Sequence, residues 1–513
     1  MNERANTQAN HGLHREDLQE ASHAFRQEHD LLGERAVPAD AYWGIHTLRA
    51  MENFPVSGQP AHPELLRALV LVKKAAAQAN RALGLLPDPV AGAILDACDD
   101  VFEGVHAPAG GWAAQFPVDA LQGGAGTSTN MNVNEVLANR AIERLGGTRG
   151  EYGRVHPLDH VNLSQSTNDV FPTALRIAAI RLLGPLSEAF AGLQTALQEK
   201  ENAFDDVLKV GRTQLQDAVP MLLGQEFGAW AQAVARDRWR LYKAEERLRQ
   251  VNLGGTAIGT GLNAERQYVF TVVEHLRDLT GLGLARSDSM IDSTQNCDVF
   301  VEVSGLVKTA AVNLVKIAND LRLLASGPHA GLGEIRLPPM QAGSSIMPGK
   351  VNPVIPEMVN QAAFQVMGND LVITQAAAAG QLELNAFLPV IARNLLEMMS
   401  LLTQATRLLT ARCIRGIEPD RERCASLVEQ SSALVTALAT RIGHEAASDA
   451  ASAAVAGGRT IREELRLRLA AGTLVDADGT PFTEPMLTAA LDPIEMTRPG
   501  IPGKKPAKRR KSP

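Results

Sequence analysis

Aromatic residues are scarce in this chain of 513 residues, at 4%. That is too few for the stacked rings on which single-stranded nucleic acid is held. Charge of one sign is also lacking. The 50 Lys+Arg and 57 Asp+Glu leave a formal net charge of -7 and a pI of about 6.0, so neither nucleic acid nor a membrane surface is expected as a partner. Cysteine is rare. Cys98, Cys297, Cys413 and Cys424 are scattered, with no pair at metal-ligand spacing, which favours free thiols in a reducing cytoplasm. No run of about 18 apolar residues occurs, so no membrane span is expected. The opening MNERANTQANHGLHREDLQEASHAF has no apolar core region, unlike a secretory signal.

What is present reads as an ordinary globular protein, with 45% hydrophobic and 21% charged residues. The length implies more than one domain. Val307, Ala310, Leu314, Ile317, Leu321 and Leu324 alternate steps of three and four, the apolar seam of a helix packed in a bundle. Phe227, Trp230, Val234, Leu241 and Leu248 make a second such seam. Both lie in segments long enough for helices well beyond the usual mean of roughly 11 to 12 residues, so a helical bundle extended across subunits is expected.

Short polar segments separate the helices: QGGAGTSTNMNVNEV (122 to 136), HVNLSQSTNDVFPTA (160 to 174), GRTQLQDAVP (211 to 220) and AGSSIMPGKVNP (342 to 353). The last is no phosphate cradle. Five residues separate Gly343 from Gly349 where a P-loop needs four, and Val351 follows Lys350 in place of Ser or Thr. Pro348 also lacks an N–H to offer. The glycines of NLGGTAIGTGLN (252 to 263) miss the dinucleotide spacing and follow no strand.

Together these segments supply the hydroxyls of Thr127, Ser166, Thr167, Thr213, Ser344 and Ser345. They add the amides of Asn168, Gln214 and Asn352 and the single cation of Lys350. Such a set suits a small dicarboxylate, whose oxygens can accept from every member. Helix capping accounts for one or two of the segments. It does not account for four.

GSSIMPGKVNP is similar to the signature of the fumarase/aspartase superfamily, and the other three segments resemble its remaining active-site blocks. The resemblance runs from about Arg26 to about Pro499. Within the superfamily the nearest likeness is to the aspartate ammonia-lyases, in QFPVDALQGGAGTSTNMNVNEVLANRA and GRTQLQDAVPMLLGQEF. It implies reversible, cofactor-free conversion of L-aspartate to fumarate and ammonia, with no metal in the site. A base takes a proton from the carbon beside the side-chain carboxylate, which becomes a doubly negative aci-form stabilised by preorganised donors. The resemblance makes Ser344 the base. It places Thr127, Ser166, Thr167 and Ser345 on the side-chain carboxylate, and Thr213, Lys350 and Asn352 on the α-carboxylate. Asn168 and Gln214 then face the amino group. Lys350 and the N–H groups of the glycine-containing turn would form a nest favouring the serine alkoxide, and the loop would close over substrate.

The alternative within the superfamily is a class II fumarase acting on malate. Hydroxide leaves poorly and needs an acid, and fumarases carry His where Gln214 stands. Gln214 can hydrogen-bond but cannot transfer a proton at neutral pH, and Thr167 replaces a second Ser. Glu357 resembles the carboxylate that pairs with that His, and here it has no imidazole to polarise. A reading of another class, a non-catalytic helical scaffold, predicts losses at the polar positions, yet Ser344, Lys350, Asn352 and Asn168 are all present.

The resemblance also implies a mainly α, three-domain fold whose central five-helix bundle forms a 20-helix core in a homotetramer, with each active site shared among subunits. The expected divisions are a disordered tail at 1–26, an N-terminal lyase domain at 27–164 and the bundle at 165–422. The bundle contains the signature loop 343–352. A small helical domain at 423–497 and a basic disordered tail at 498–513 complete the chain.

Overall fold

Five helices dominate the computed structural model, which describes residues 25–503. They are Thr167–Ala203, Leu223–Leu248, Asp298–Leu324, Val354–Ala378 and Leu388–Arg412, of 25 to 37 residues each. All fall in the stretch expected to build the central bundle. Both seams behave as their spacing requires. Val307, Ala310, Leu314, Ile317, Leu321 and Leu324 are buried along Asp298–Leu324, as are Phe227, Trp230, Val234, Leu241 and Leu248 along Leu223–Leu248. The expected mainly α fold is the observed one.

The chain forms two compact units. One holds the described residues up to Leu186 with Arg240–Lys308 and Gln365–Leu401; the other holds Ser187–Trp239, Thr309–Phe364 and the residues from Leu402 onward. The expected boundaries at 164/165 and 422/423 fall inside these units, because each long helix contributes residues to both. Polar pairs tie helices within each unit. In the first, Ser304 Oγ and Lys308 Nζ donate to Asp370 at 2.7 and 2.6 Å. In the second, Asn313 donates to Asp237 at 2.7 Å and Asn360 to Asn319 at 2.8 Å.

Strands are few. Phe25–Asp30 pairs antiparallel with Gly33–Pro38. This hairpin begins inside the stretch expected as a disordered tail at 1–26. Arg26 fixes it there, donating to Glu28 Oε1 at 2.7 Å and to the carbonyls of Ala41 and Trp43 at 2.7 and 2.6 Å. The rest of both expected tails lies outside the described residues, apart from the short stretch from Arg498 to Gly503.

Short helices between Arg421 and Met496 enclose a small core of Val428, Leu434, Leu438, Ile461, Leu465, Leu487 and Leu491, with Val210 packed among them. The 167–203 helix is long and apolar enough to cross a membrane by composition, but 72% of its most apolar stretch is buried inside the protein. It is a core helix.

Candidate functional site

Thr127, Ser166, Thr167 and Asn168 belong to the first unit; Thr213, Gln214, Ser344, Ser345, Lys350 and Asn352 belong to the second. In the first unit two helix N-termini lie side by side. Thr127 opens the helix Thr127–Arg144 after Gly126, whose φ of 96° is left-handed. A Cβ on Gly126 would sit 2.3 Å from the Phe171 ring, so only glycine allows this approach. Thr127 is exposed and its hydroxyl donates to Gly124 O at 2.7 Å.

The neighbouring helix starts at Thr167. Ser166 caps it, its Oγ accepting from Asn168 N at 3.2 Å, which leaves the hydroxyl proton free to donate. Thr167 Oγ1 accepts from Asn130 Nδ2 at 3.1 Å. Pro172, four residues past Asn168, has no N–H for the Asn168 carbonyl, and Asn252 Nδ2 fills that role at 3.1 Å. One amide hydrogen of Asn168 goes to Ala257 O at 2.8 Å. The partial positive charge of two adjacent helix starts favours a carboxylate.

Buried groups that the sequence reading missed lie around these residues. Asp169 accepts from the N–H groups of Ser166, Gly254 and Thr256, each at 3.0 Å. Burial pushes its carboxyl up to about 6 against these bonds. The Gly-rich turn after Asn252 is therefore strapped to the helix start, which is its use in place of any dinucleotide. The spacing Ser166-x-x-Asp169 was the available signal, since it is that of a capping box. Lys73 is fully buried, and its Nζ donates to Asn162 Oδ1 at 2.8 Å and Gln165 Oε1 at 3.0 Å. Burial pushes its ammonium down to about 7.

In the second unit, Thr213 and Gln214 sit at the tip of a hairpin, Leu208–Thr213 paired with Gln216–Leu222, where the sequence suggested a polar connection. Gln214 and Leu215 form its two-residue turn with φ of 54° and 63°, the twist such a turn needs and one that non-glycine residues resist. The side chain of Gln214 is exposed at that tip.

The 343–352 loop closes on itself. Gly343 N donates to Lys350 O at 2.7 Å, and Asn352 Nδ2 donates to Gly343 O at 2.8 Å. A Cβ on Gly343 would lie 2.4 Å from Lys350 O. Within this ring Ser344 Oγ accepts from the N–H groups of Ile346 at 3.2 Å and Met347 at 2.9 Å. Two donors on one hydroxyl oxygen stabilise negative charge there. Lys350 and Ser345 are exposed, and Ser344 is half-buried. Glu357 lies 3.9 Å from Arg322, a long and half-exposed ion pair. Among the described residues no group of three or more His, Cys, Asp or Glu is placed to hold a metal.

Residues 33–368 match a protein family described as Lyase. An aspartate ammonia-lyase of Bacillus sp is 49% identical over 94% of this chain and 99% of its own length. A Brucella melitensis fumarate lyase:delta crystallin, solved bound to cobalt, is 49% identical with a TM-score of 0.86 over 93% of this chain and all of that one. A class II fumarase of Schistosoma mansoni superposes as well, TM-score 0.86 over 93% of this chain and 99% of that one, at 34% identity. The chain belongs to the fumarase/aspartase superfamily of lyases.

Proposed function

We propose that this protein is an aspartate ammonia-lyase, converting L-aspartate reversibly to fumarate and ammonia without a cofactor. The observation that carries the chemistry is the Ser344 hydroxyl oxygen, which accepts two backbone N–H groups in a closed loop. Those donors lower the cost of the alkoxide, which then takes the proton from the carbon beside the side-chain carboxylate. The electron pair moves into that carboxylate, giving the aci-form dianion. It returns to form the C=C bond as the C–N bond breaks, and the protonated amine takes the C–N pair and departs as neutral ammonia.

Stabilising the dianion is the main task. Ser166 and Thr167, with Ser345, hold it, and Thr127 joins them by turning its hydroxyl proton away from Gly124 O. Thr213, Lys350 and Asn352 hold the α-carboxylate, while Asn168 and Gln214 orient the leaving amine. Ammonia leaves without an acid, so Gln214 suffices where water would need a proton donor. The named aspartate ammonia-lyases, 48 to 51% identical, support the same substrate.

The working assembly is a homotetramer with shared sites. Support comes from apolar side chains left uncovered on the long helices, among them Trp239 and Tyr242 (65% and 69% exposed), Phe364 and Leu371. Exposed aromatics at that density mark surfaces that another subunit covers. Four buried, unpaired cysteines support a reducing, cytoplasmic setting. Fumarate formation from L-aspartate, set against dehydration of L-malate, tests the assignment.

A further inference from the structure

Thr167 is meant to give its hydroxyl proton to the substrate, yet a threonine hydroxyl can equally turn that proton inward. The buried groups around it decide the direction. Asn130 Nδ2 lies 3.1 Å from Thr167 Oγ1 and 3.2 Å from Asn162 Oδ1. An amide nitrogen only donates, so Thr167 Oγ1 accepts here and its own proton points elsewhere. What fixes the Asn130 amide is Asn162, whose Oδ1 also receives Asn134 Nδ2 at 3.1 Å and Lys73 Nζ at 2.8 Å. Asn162 is fixed from both ends, its Nδ2 donating to Gln165 O at 3.1 Å and its Oδ1 facing Lys73, whose ammonium form has no lone pair. Gln165 agrees: its Oε1 takes Lys73 at 3.0 Å while its Nε2 donates to the carbonyls of Val161 and Leu163. Turning Asn162 or Gln165 over would set N–H against the Lys73 ammonium, and turning Asn130 over would set its oxygen against Asn162 Oδ1.

We propose that Lys73 is a positioning residue, acting through Asn162 and Asn130 to aim the Thr167 hydroxyl proton at the substrate carboxylate. Lys73 lies in the helix Pro63–Ala82 and is 0% exposed. It touches no solvent and acts on the site through the side chains it orders. The relay rests on the proposed role of Thr167 as a carboxylate donor. A donor aimed where charge develops acts on turnover more than on binding.

The test is a double-mutant cycle on aspartate turnover, with folding checked by circular dichroism and sedimentation. Thr167→Val alone should lower kcat/KM roughly a hundredfold, the scale of one lost donor to a developing anion. Asn130→Asp keeps the shape but presents an acceptor, so the Thr167 proton turns inward, and kcat should fall by a comparable factor with KM little changed. In the Thr167→Val background the same Asn130→Asp change should cost no more than about twofold, because no proton remains to misdirect. Lys73→Met, run in the same cycle, should lower kcat by about tenfold alone, within the range of coupled neighbours, and lose that effect when Thr167 is Val. It keeps the test open if Asn130→Asp does not fold. Costs that multiply fully in the double variants, or silent single variants at Asn130 and Lys73, would overturn the relay. A silent Thr167→Val would instead remove the substrate role of Thr167.

Discussion

Arg212 Nη1 donates to both carboxylate oxygens of Glu334, at 2.9 and 3.0 Å. The Glu334 side chain is fully buried, and Lys209 approaches it at 3.5 Å. Arg212 immediately precedes Thr213 and Gln214 on the hairpin tip. The pair therefore pins the strand that presents both residues.

Removing one side of this pair leaves a buried charge uncompensated. Glu334→Gln should destabilise the protein by about 3 to 5 kcal/mol, the range for breaking a buried ion pair from one side. Urea unfolding measures it. Adding Arg212→Met to the same chain should recover part of the loss, and a double variant less stable than Glu334→Gln would show that the pair is not the source.

Ser344→Ala should lower turnover of L-aspartate by roughly a hundredfold or more, the scale of a missing base, while aspartate still binds. Ser345→Ala should be milder in turnover. The assignment of the base moves to Ser345 if the two variants show the opposite order.

The bundle helices were legible because Val307 to Leu324 and Phe227 to Leu248 repeat at helical spacing, and burial followed that spacing. The 208–222 hairpin was not. Its turn residues Gln214 and Leu215 are not the Asn-Gly or Gly pairs that announce a two-residue turn, and Gly211 and Pro220 interrupt its strands. The candidate donors could be named from the sequence, but not how they are arranged. Asn168 and Asn352 each commit an amide hydrogen to a nearby backbone carbonyl, so part of their use is structural. Lys73 was illegible for a different reason. A lysine on an amphipathic helix reads as a surface residue, and only its packing against Asn162 and Gln165 shows otherwise.

The proposed sharing of sites between subunits makes a further prediction. Lys350→Ala and Asn168→Ala should each be nearly inactive alone, the first mainly through a raised KM, since a charge-assisted bond contributes roughly 1.5 to 3 kcal/mol. When the two proteins are mixed, dissociated and reassembled, some sites collect both intact residues and part of the activity returns. Verified mixed tetramers without regained activity would place both residues of a site on one chain.

The central claim is the substrate, and one measurement bears on it most directly: the ultraviolet absorbance of fumarate after the purified protein meets L-aspartate and, separately, L-malate. With Gln214 unable to act as an acid, aspartate should yield fumarate with no added cofactor. Malate should react at least about a hundredfold more slowly, the scale of a missing general acid. Malate turnover as fast as aspartate turnover would contradict the account and make the protein a fumarase.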